Sequence, residues 1–232
     1  MTDVDQSRLS LGEQAYQRIK TEIVWCRLMP GEEISEARLA ALFGFGKAPV
    51  REALFRLSQE GYVTALPRRG HVITPVTLQS VEDIFELRLL LEPAVVEKAC
   101  GRVDAATLYE LDAICAAGYR PGDIESEARF MTANQAFHRE IARASGNERL
   151  ARSLSQIMDE MARLLHLGFV LRERPEVLRA EHTALIEALV SGDRDGARAI
   201  TVTHIESVRD LVMDGLRTHT SLREMRLQRI EG

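Results

Sequence analysis

Four residues in the C-terminal half have the types and spacing of a metal site. Asn134 and His138 are separated by four positions, so a helix would carry both on one face. His182 and His204 lie 22 residues apart. Two antiparallel helices joined by a turn would bring their imidazoles level. Three imidazoles converging inside a bundle, with an amide oxygen beside them, suit zinc, nickel or another borderline divalent ion. The candidate ligands are therefore Asn134, His138, His182 and His204. Arg88, earlier in the chain, is a candidate bidentate partner for a carboxylate, the alternative being a surface or dimer-interface salt bridge with one of several glutamates. His166 and His219 share no such spacing and read as ordinary helical histidines.

A second group of residues is basic. Lys47 and Arg51 stand four apart behind the turn Gly44-Phe45-Gly46, and Val50 and Leu54 would anchor the opposite face of that helix. An exposed basic face near a helix N-terminus fits the DNA major groove, where Lys and Arg pair with guanine edges or phosphates. Further on, Arg68-Arg69-Gly70-His71 adds cations that could reach an adjacent groove or the backbone. Gly44-Phe45-Gly46-Lys47 is not a phosphate-binding P-loop: it lacks the earlier glycine, and Ala48 replaces the hydroxyl that would hold magnesium. Asp193-Arg194-Asp195-Gly196 lacks the later ligands of a calcium loop and reads as a turn and helix cap.

These residues need elements to position them. Tyr16, Ile19 and Ile23 repeat at helical spacing before the breaker Met29-Pro30-Gly31. Ser35 caps a short helix carrying Leu39, Leu42 and Phe43. A third helix has Pro49 in its first turn, a stripe of Val50, Ala53, Leu54 and Leu57, and Gly61 as its stop. The β-prone runs 62–66 and 71–74, joined by Pro67-Arg68-Arg69-Gly70, predict a hairpin. From about residue 78 the pattern is helical throughout, with Pro93 expected to kink the first helix and Asp104 to cap one carrying Leu108, Leu111 and Ile114. Three further helices follow over Phe130–Ile141, over Leu150–Leu164 and around Leu185, with a last one around Ile205.

The expected fold is mainly α: residues 1–75 form a winged helix-turn-helix of three helices and a hairpin, and residues 76–232 form an all-α bundle. Charge follows the same division. The chain of 232 residues has a formal charge of −5, yet Lys47–His71 holds five basic against two acidic residues. Residues 76–232 hold 20 basic against 26 acidic. A basic island on an acidic body suits local contact with nucleic acid. Three cysteines without a CxxC pair, an acidic N-terminus and no long apolar run point to a cytoplasmic protein with no membrane span.

The stretch Val50-Arg51-Glu52-Ala53-Leu54, with Leu57, Glu60-Gly61-Tyr62-Val63 and Pro67-Arg68-Arg69-Gly70, resembles the winged helix of GntR-type transcription regulators, as do Leu28-Met29-Pro30-Gly31-Glu32 and Ser35-Glu36. The family usually has Arg at the position of Ala37, beside Arg38, and Ser or Thr followed by Arg-Thr where this chain has Gly46-Lys47-Ala48. Phe137-His138-Arg139, Ser145-Gly146-Asn147, Glu181-His182, Gly192-Asp193 and His204, with Leu87-Arg88-Leu89-Leu90-Leu91-Glu92-Pro93, resemble the FCD ligand-sensing domain of the FadR-like subgroup.

The resemblance implies a ligand-responsive regulator, more often a repressor, that acts as a homodimer on pseudo-palindromic double-stranded operator DNA. Arg38, Lys47, Arg51, Arg68, Arg69, Gly70 and His71 are its candidate DNA contacts. The resemblance also implies a divalent metal held by Asp and three His and completed by a small carboxylate effector, with Asn134 standing where the Asp is expected. Metal-free sensing of a larger ligand, such as an acyl thioester, is an alternative within the same family. A hydrolase built on the three histidines finds no HExxH motif and no convincing Ser/His/Asp order. The expectation is therefore a regulator, not an enzyme.

Overall fold

Helix starts in this computed structural model, which describes residues 9–120, 123–166 and 176–218, follow the capping residues. Ser10 accepts from the Glu13 amide and opens α1 (Leu11–Val24). Ser35 accepts from the Arg38 amide and opens α2 (Glu36–Phe43), which ends at Gly44 in the left-handed conformation. Each such oxygen satisfies an amide with no partner inside the helix. After the three-residue turn, α3 (Lys47–Gln59) buries Val50, Ala53, Leu54 and Leu57.

Two strands, β2 (Val63–Leu66) and β3 (Gly70–Ile73), form the expected hairpin. A further strand, β1 (Glu33–Ile34), pairs antiparallel with β3, so the hairpin is part of a three-stranded sheet of order β1-β3-β2. Two residues are too few to leave a periodic signature in the sequence. Leu42, expected in the apolar stripe of α2, is instead 58% exposed, and Leu39 alone of that helix is fully buried. Ile19 and Ile23 of α1, Leu39 of α2, the α3 stripe and Ile73 of β3 fill one core. Each large aliphatic side chain buried there contributes about 1.5–3 kcal/mol.

The chain divides into two compact units, 1–77 and 78–232. The second is built of α4 (Leu78–Ala99), α5 (Ala105–Ala117), α6 (Ile124–Ala144), α7 (Glu148–His166), α8 (Glu176–Ser191) and α9 (Arg194–Thr218). Pro93 lies within α4, which remains one helix through it. In α5 the buried face is Leu108, Asp112 and Cys115 rather than the expected Leu108, Leu111 and Ile114. Phe85, Phe137, Ile141, Leu154, Leu185 and Ile205, drawn from five of these helices, form an aliphatic and aromatic interior. His219 and the side chain of His166 lie outside the described residues.

Gly70 is the tightest backbone position of the wing. Its φ is 102°, and an added Cβ would lie 2.5 Å from the Ile34 carbonyl oxygen on β1. Gly31 has a similar φ of 82° but open space around it. Gly70→Ala is therefore expected to destabilise the N-terminal unit and loosen the β1–β3 pairing, and to cost more than Gly31→Ala, where the left-handed backbone alone costs about 1–2 kcal/mol. Urea unfolding of the two variants, followed by circular dichroism, checks the order.

Candidate functional site

The C-terminal unit brings three of the four expected metal ligands together. His138 comes from α6, His182 from α8 and His204 from α9, and all three are buried. One ring nitrogen from each falls within 4.8 Å of the others. Ring centroids stand 5.8 Å apart for His138–His182, 5.9 Å for His138–His204 and 5.1 Å for His182–His204. Around a tetrahedral ion with metal–nitrogen bonds of about 2.0–2.1 Å, imidazole centroids would stand roughly 5 Å apart, so the three rings need only a small contraction. Asn134 is half-buried one turn before His138 on the same helix.

Each imidazole has a carboxylate behind its Nδ1. His204 Nδ1 lies 2.9 Å from Glu181 Oε2, while Ser207 donates to Glu181 Oε1 at 3.1 Å. His182 Nδ1 lies 3.3 Å from Asp112 Oδ1, and Thr183 donates to Asp112 Oδ2 at 3.0 Å. His138 Nδ1 lies 3.8 Å from Glu92 Oε2. Only the His204 contact is a hydrogen bond, and a ring that directs Nδ1–H to a carboxylate offers the Nε2 lone pair on its other side, which is the tautomer a metal requires. Phe137 stacks on His182 at 4.4 Å between centroids and fixes that ring plane.

Glu92 and Asp112 were not legible as site residues, yet both fall on buried helical faces. Asp112 is four residues after Leu108 and three before Cys115, and Glu92 is four after Arg88. Arg88 itself, 2% exposed, donates to Glu92 and lies against the Phe85 ring, so it is a buried ion-pair partner within this cluster rather than a surface bridge. One guanidinium against three carboxylates leaves a formal charge of −2 around the neutral imidazoles. Glu92 and Asp112 are buried, and Glu181 is partly exposed.

Burial, with the neighbouring His182 and Arg88 charges, holds His204 down to about 4, against the opposing pull of Glu181. Burial pushes Glu181 up, but the His204 and Ser207 hydrogen bonds outweigh it and leave its carboxyl below the ordinary range. At neutral pH the pair is thus a neutral imidazole donating to a carboxylate. Beside it lies a small cavity lined by Glu92, Val95, Val96, His138, Ile141, Leu154, Leu185, Thr201 and His204. Its free space of about 10 Å³ for the centre of a water-sized sphere is room for one water. The Thr201 hydroxyl in its wall is buried and has no hydrogen-bond partner among the described residues.

In the N-terminal unit, Lys47 and Arg51 are exposed on one face of α3. Arg51 is held through two bonds by Glu36 of α2, Nε to Oε1 at 2.9 Å and Nη2 to Oε2 at 2.8 Å. Arg38 meets Glu32 at 2.6 Å and Arg69 meets Glu33 at 2.6 Å. Arg68 is exposed at the tip of the wing with a φ of 63°. His71 sits half-buried on β3 opposite Ala65 and Ile34, set back from that tip. The absence of a side chain at Gly70 is required first by the Ile34 carbonyl inside the wing.

A winged helix-turn-helix with an exposed cationic helix, followed by a helical bundle with a buried polar cluster, defines a DNA-binding transcription regulator. Residues 11–73 match the bacterial regulatory proteins of the gntR family, and residues 83–207 match the FCD domain. The chain belongs to the GntR family, carries an FCD domain, and is a regulator rather than an enzyme.

It is 30% identical over 206 residues to an HTH-type transcriptional regulator in an unstable DNA locus of Streptomyces ambofaciens, covering 88% of this chain and 86% of that one. It is 21% identical to the HTH-type transcriptional repressor RspR of Escherichia coli K12, covering 87% and 89%. Among solved structures, E. coli McbR/YncC has the same fold, with a TM-score of 0.76 at 23% identity over 89% of this chain and 98% of that one. No helix among the described residues is long and apolar enough to cross a membrane.

The depressed His204 value has a consequence for stability in chelator-treated protein. An unfolded His204 takes up its proton near 6.5, whereas the folded one does so only near 4. Between those values the unfolded chain binds more protons, so stability falls as pH drops through this window and is fully present above it. The contribution is up to about 3 kcal/mol. Thermal unfolding between pH 7 and pH 4.5 is expected to show this loss in the wild type and a smaller one in His204→Asn.

Proposed function

We propose that the chain is a cytoplasmic, homodimeric transcription regulator, a repressor by preference, that senses a small carboxylate through a divalent metal in its helical unit. The observation that carries the reading is the convergence of three buried imidazoles, each backed by a carboxylate, with a formal charge of −2 around them. His138, His182 and His204 would hold the ion, zinc or nickel, with the Asn134 amide as a neutral fourth donor. The ion would supply a Lewis-acid contact for one carboxylate oxygen.

The protein's own groups do the rest. Glu181 orients the His204 ring through its hydrogen bond, Asp112 and Glu92 stand behind His182 and His138, and Arg88 offsets part of the carboxylate charge. The Thr201 hydroxyl offers a hydrogen bond inside an aliphatic wall of Val95, Val96 and Leu185. Leu87 and Leu90, exposed three residues apart on α4, support a docking face for a second copy.

In the N-terminal unit, Arg38, Lys47, Arg51, Arg68, Arg69, Gly70 and His71 form the DNA-facing set. Paired heads of two protomers would read the halves of a pseudo-palindromic operator. Effector binding would change operator affinity through a coupling of about 1–3 kcal/mol between two conformations.

Two substitutions test the two ends of this account. Arg51→Ala is expected to weaken binding to an operator selected from random duplexes by about 1–3 kcal/mol, measured by fluorescence anisotropy. His182→Ala is expected to lose bound metal, measured by elemental analysis, and the response of operator binding to small carboxylates. Retention of both metal and response would exclude the proposed pocket.

A further inference from the structure

Three arginines of the DNA-facing set each meet a glutamate, but in two different ways. Arg38–Glu32 and Arg69–Glu33 are exposed pairs, each meeting through one nitrogen–oxygen contact of 2.6 Å. Such pairs contribute little and exchange readily for a phosphate oxygen. Arg51–Glu36 is a fork, with both carboxylate oxygens engaged by Nε and Nη2. A guanidinium has two edges that each present a pair of donors, Nε/Nη2 and Nη1/Nη2. Glu36 takes the first. The second stays open on a side chain that is 69% exposed.

The carboxylate is itself held in place. Glu36 occupies the first turn of α2 directly after the Ser35 cap, where a negative charge is favoured by the helix N-terminus. Arg51 first, and then His71 and Lys47, keep its carboxyl below the ordinary range. The charge of Arg51 is thereby largely neutralised before DNA arrives. Attraction to phosphates, which depends on net charge, is reduced. Directional bonding to a base edge, which depends on aligned donors, is retained.

We propose that Glu36 makes Arg51 a base reader: it grips the Nε/Nη2 edge and presents the Nη1/Nη2 edge to guanine O6 and N7 in the major groove. Glu36 is a positioning residue and touches no base. The inference rests on the reading that Arg51 faces DNA, which Arg51→Ala tests separately.

The experiment uses the full chain. Operators are selected from a random duplex pool, and anisotropy is recorded for the selected duplex, for each single base-pair variant and for an unrelated duplex. In the wild type, one guanine pair per half-site is expected to be discriminated by about 5- to 150-fold. Arg51→Ala should abolish discrimination at that pair; if it does not, Arg51 is no reader and the proposal falls with that reading. Glu36→Gln should reduce discrimination at the same pair by about fivefold or more while binding to unrelated duplex tightens.

Unchanged discrimination in Glu36→Gln, or an equal loss at every pair, overturns the proposal. A second measurement needs no variant protein. The Arg51 Nε–H resonance should exchange slowly with water in free and operator-bound wild type, and loss of that protection on operator binding also overturns it.

Discussion

The C-terminal unit depends on three imidazoles buried side by side, of which His204 is held neutral. A protonated imidazole there would pay the full penalty of a buried charge, and burial accordingly carries His204 down to about 4. Neutral rings are also the form that binds a metal. Behind them stand three carboxylates, Glu92 and Asp112 buried and Glu181 partly exposed, with the Arg88 guanidinium on Glu92. A group of this sign is stable only with something positive at its centre or with a structure stiff enough to tolerate the repulsion. The stacked Phe137–His182 pair, the Thr183–Asp112 bond and the Ser207–Glu181 bond supply that stiffness.

The N-terminal unit solves a different problem with the same residue types. The arginines of its DNA-facing set are exposed, and the glutamates that Arg38, Arg51 and Arg69 meet lie on or beside the first strand and at the start of α2. In water such pairs are weak, so they hold geometry more than they add stability. A reading head needs this arrangement: cations numerous enough to find DNA, and at least one whose donors already point in a fixed direction. The net acidity of the C-terminal half, 26 acidic against 20 basic residues from position 76 onward, confines attraction for nucleic acid to the head.

Much of this was legible in the sequence, for physical reasons that can be named. The α3 stripe of Val50, Ala53, Leu54 and Leu57 is a strict helical repeat ending at a glycine, and it folds as written. The histidines share helix faces with apolar neighbours, which made a buried position legible, while their convergence across three helices was an expectation that the family resemblance strengthened. Their carboxylate partners were harder to see. An acid on a helix usually faces solvent, and Asp112 hides this by replacing an apolar residue in the stripe between Leu108 and Cys115. Its position relative to those two was the available signal. Strand β1 escaped because two residues have no period, and Leu42 misled because a short helix offers too few positions to settle which leucine faces inward.

The central claim is that the three-histidine cluster holds a divalent ion. A native mass spectrum of the purified protein, recorded before and after treatment with a chelator, tests it most directly. The account predicts a dimer that carries one divalent metal per chain, sheds it with the chelator and brings a small acid with it as purified. A dimer free of metal before any chelator is added, and unable to take up zinc or nickel afterwards, would contradict it.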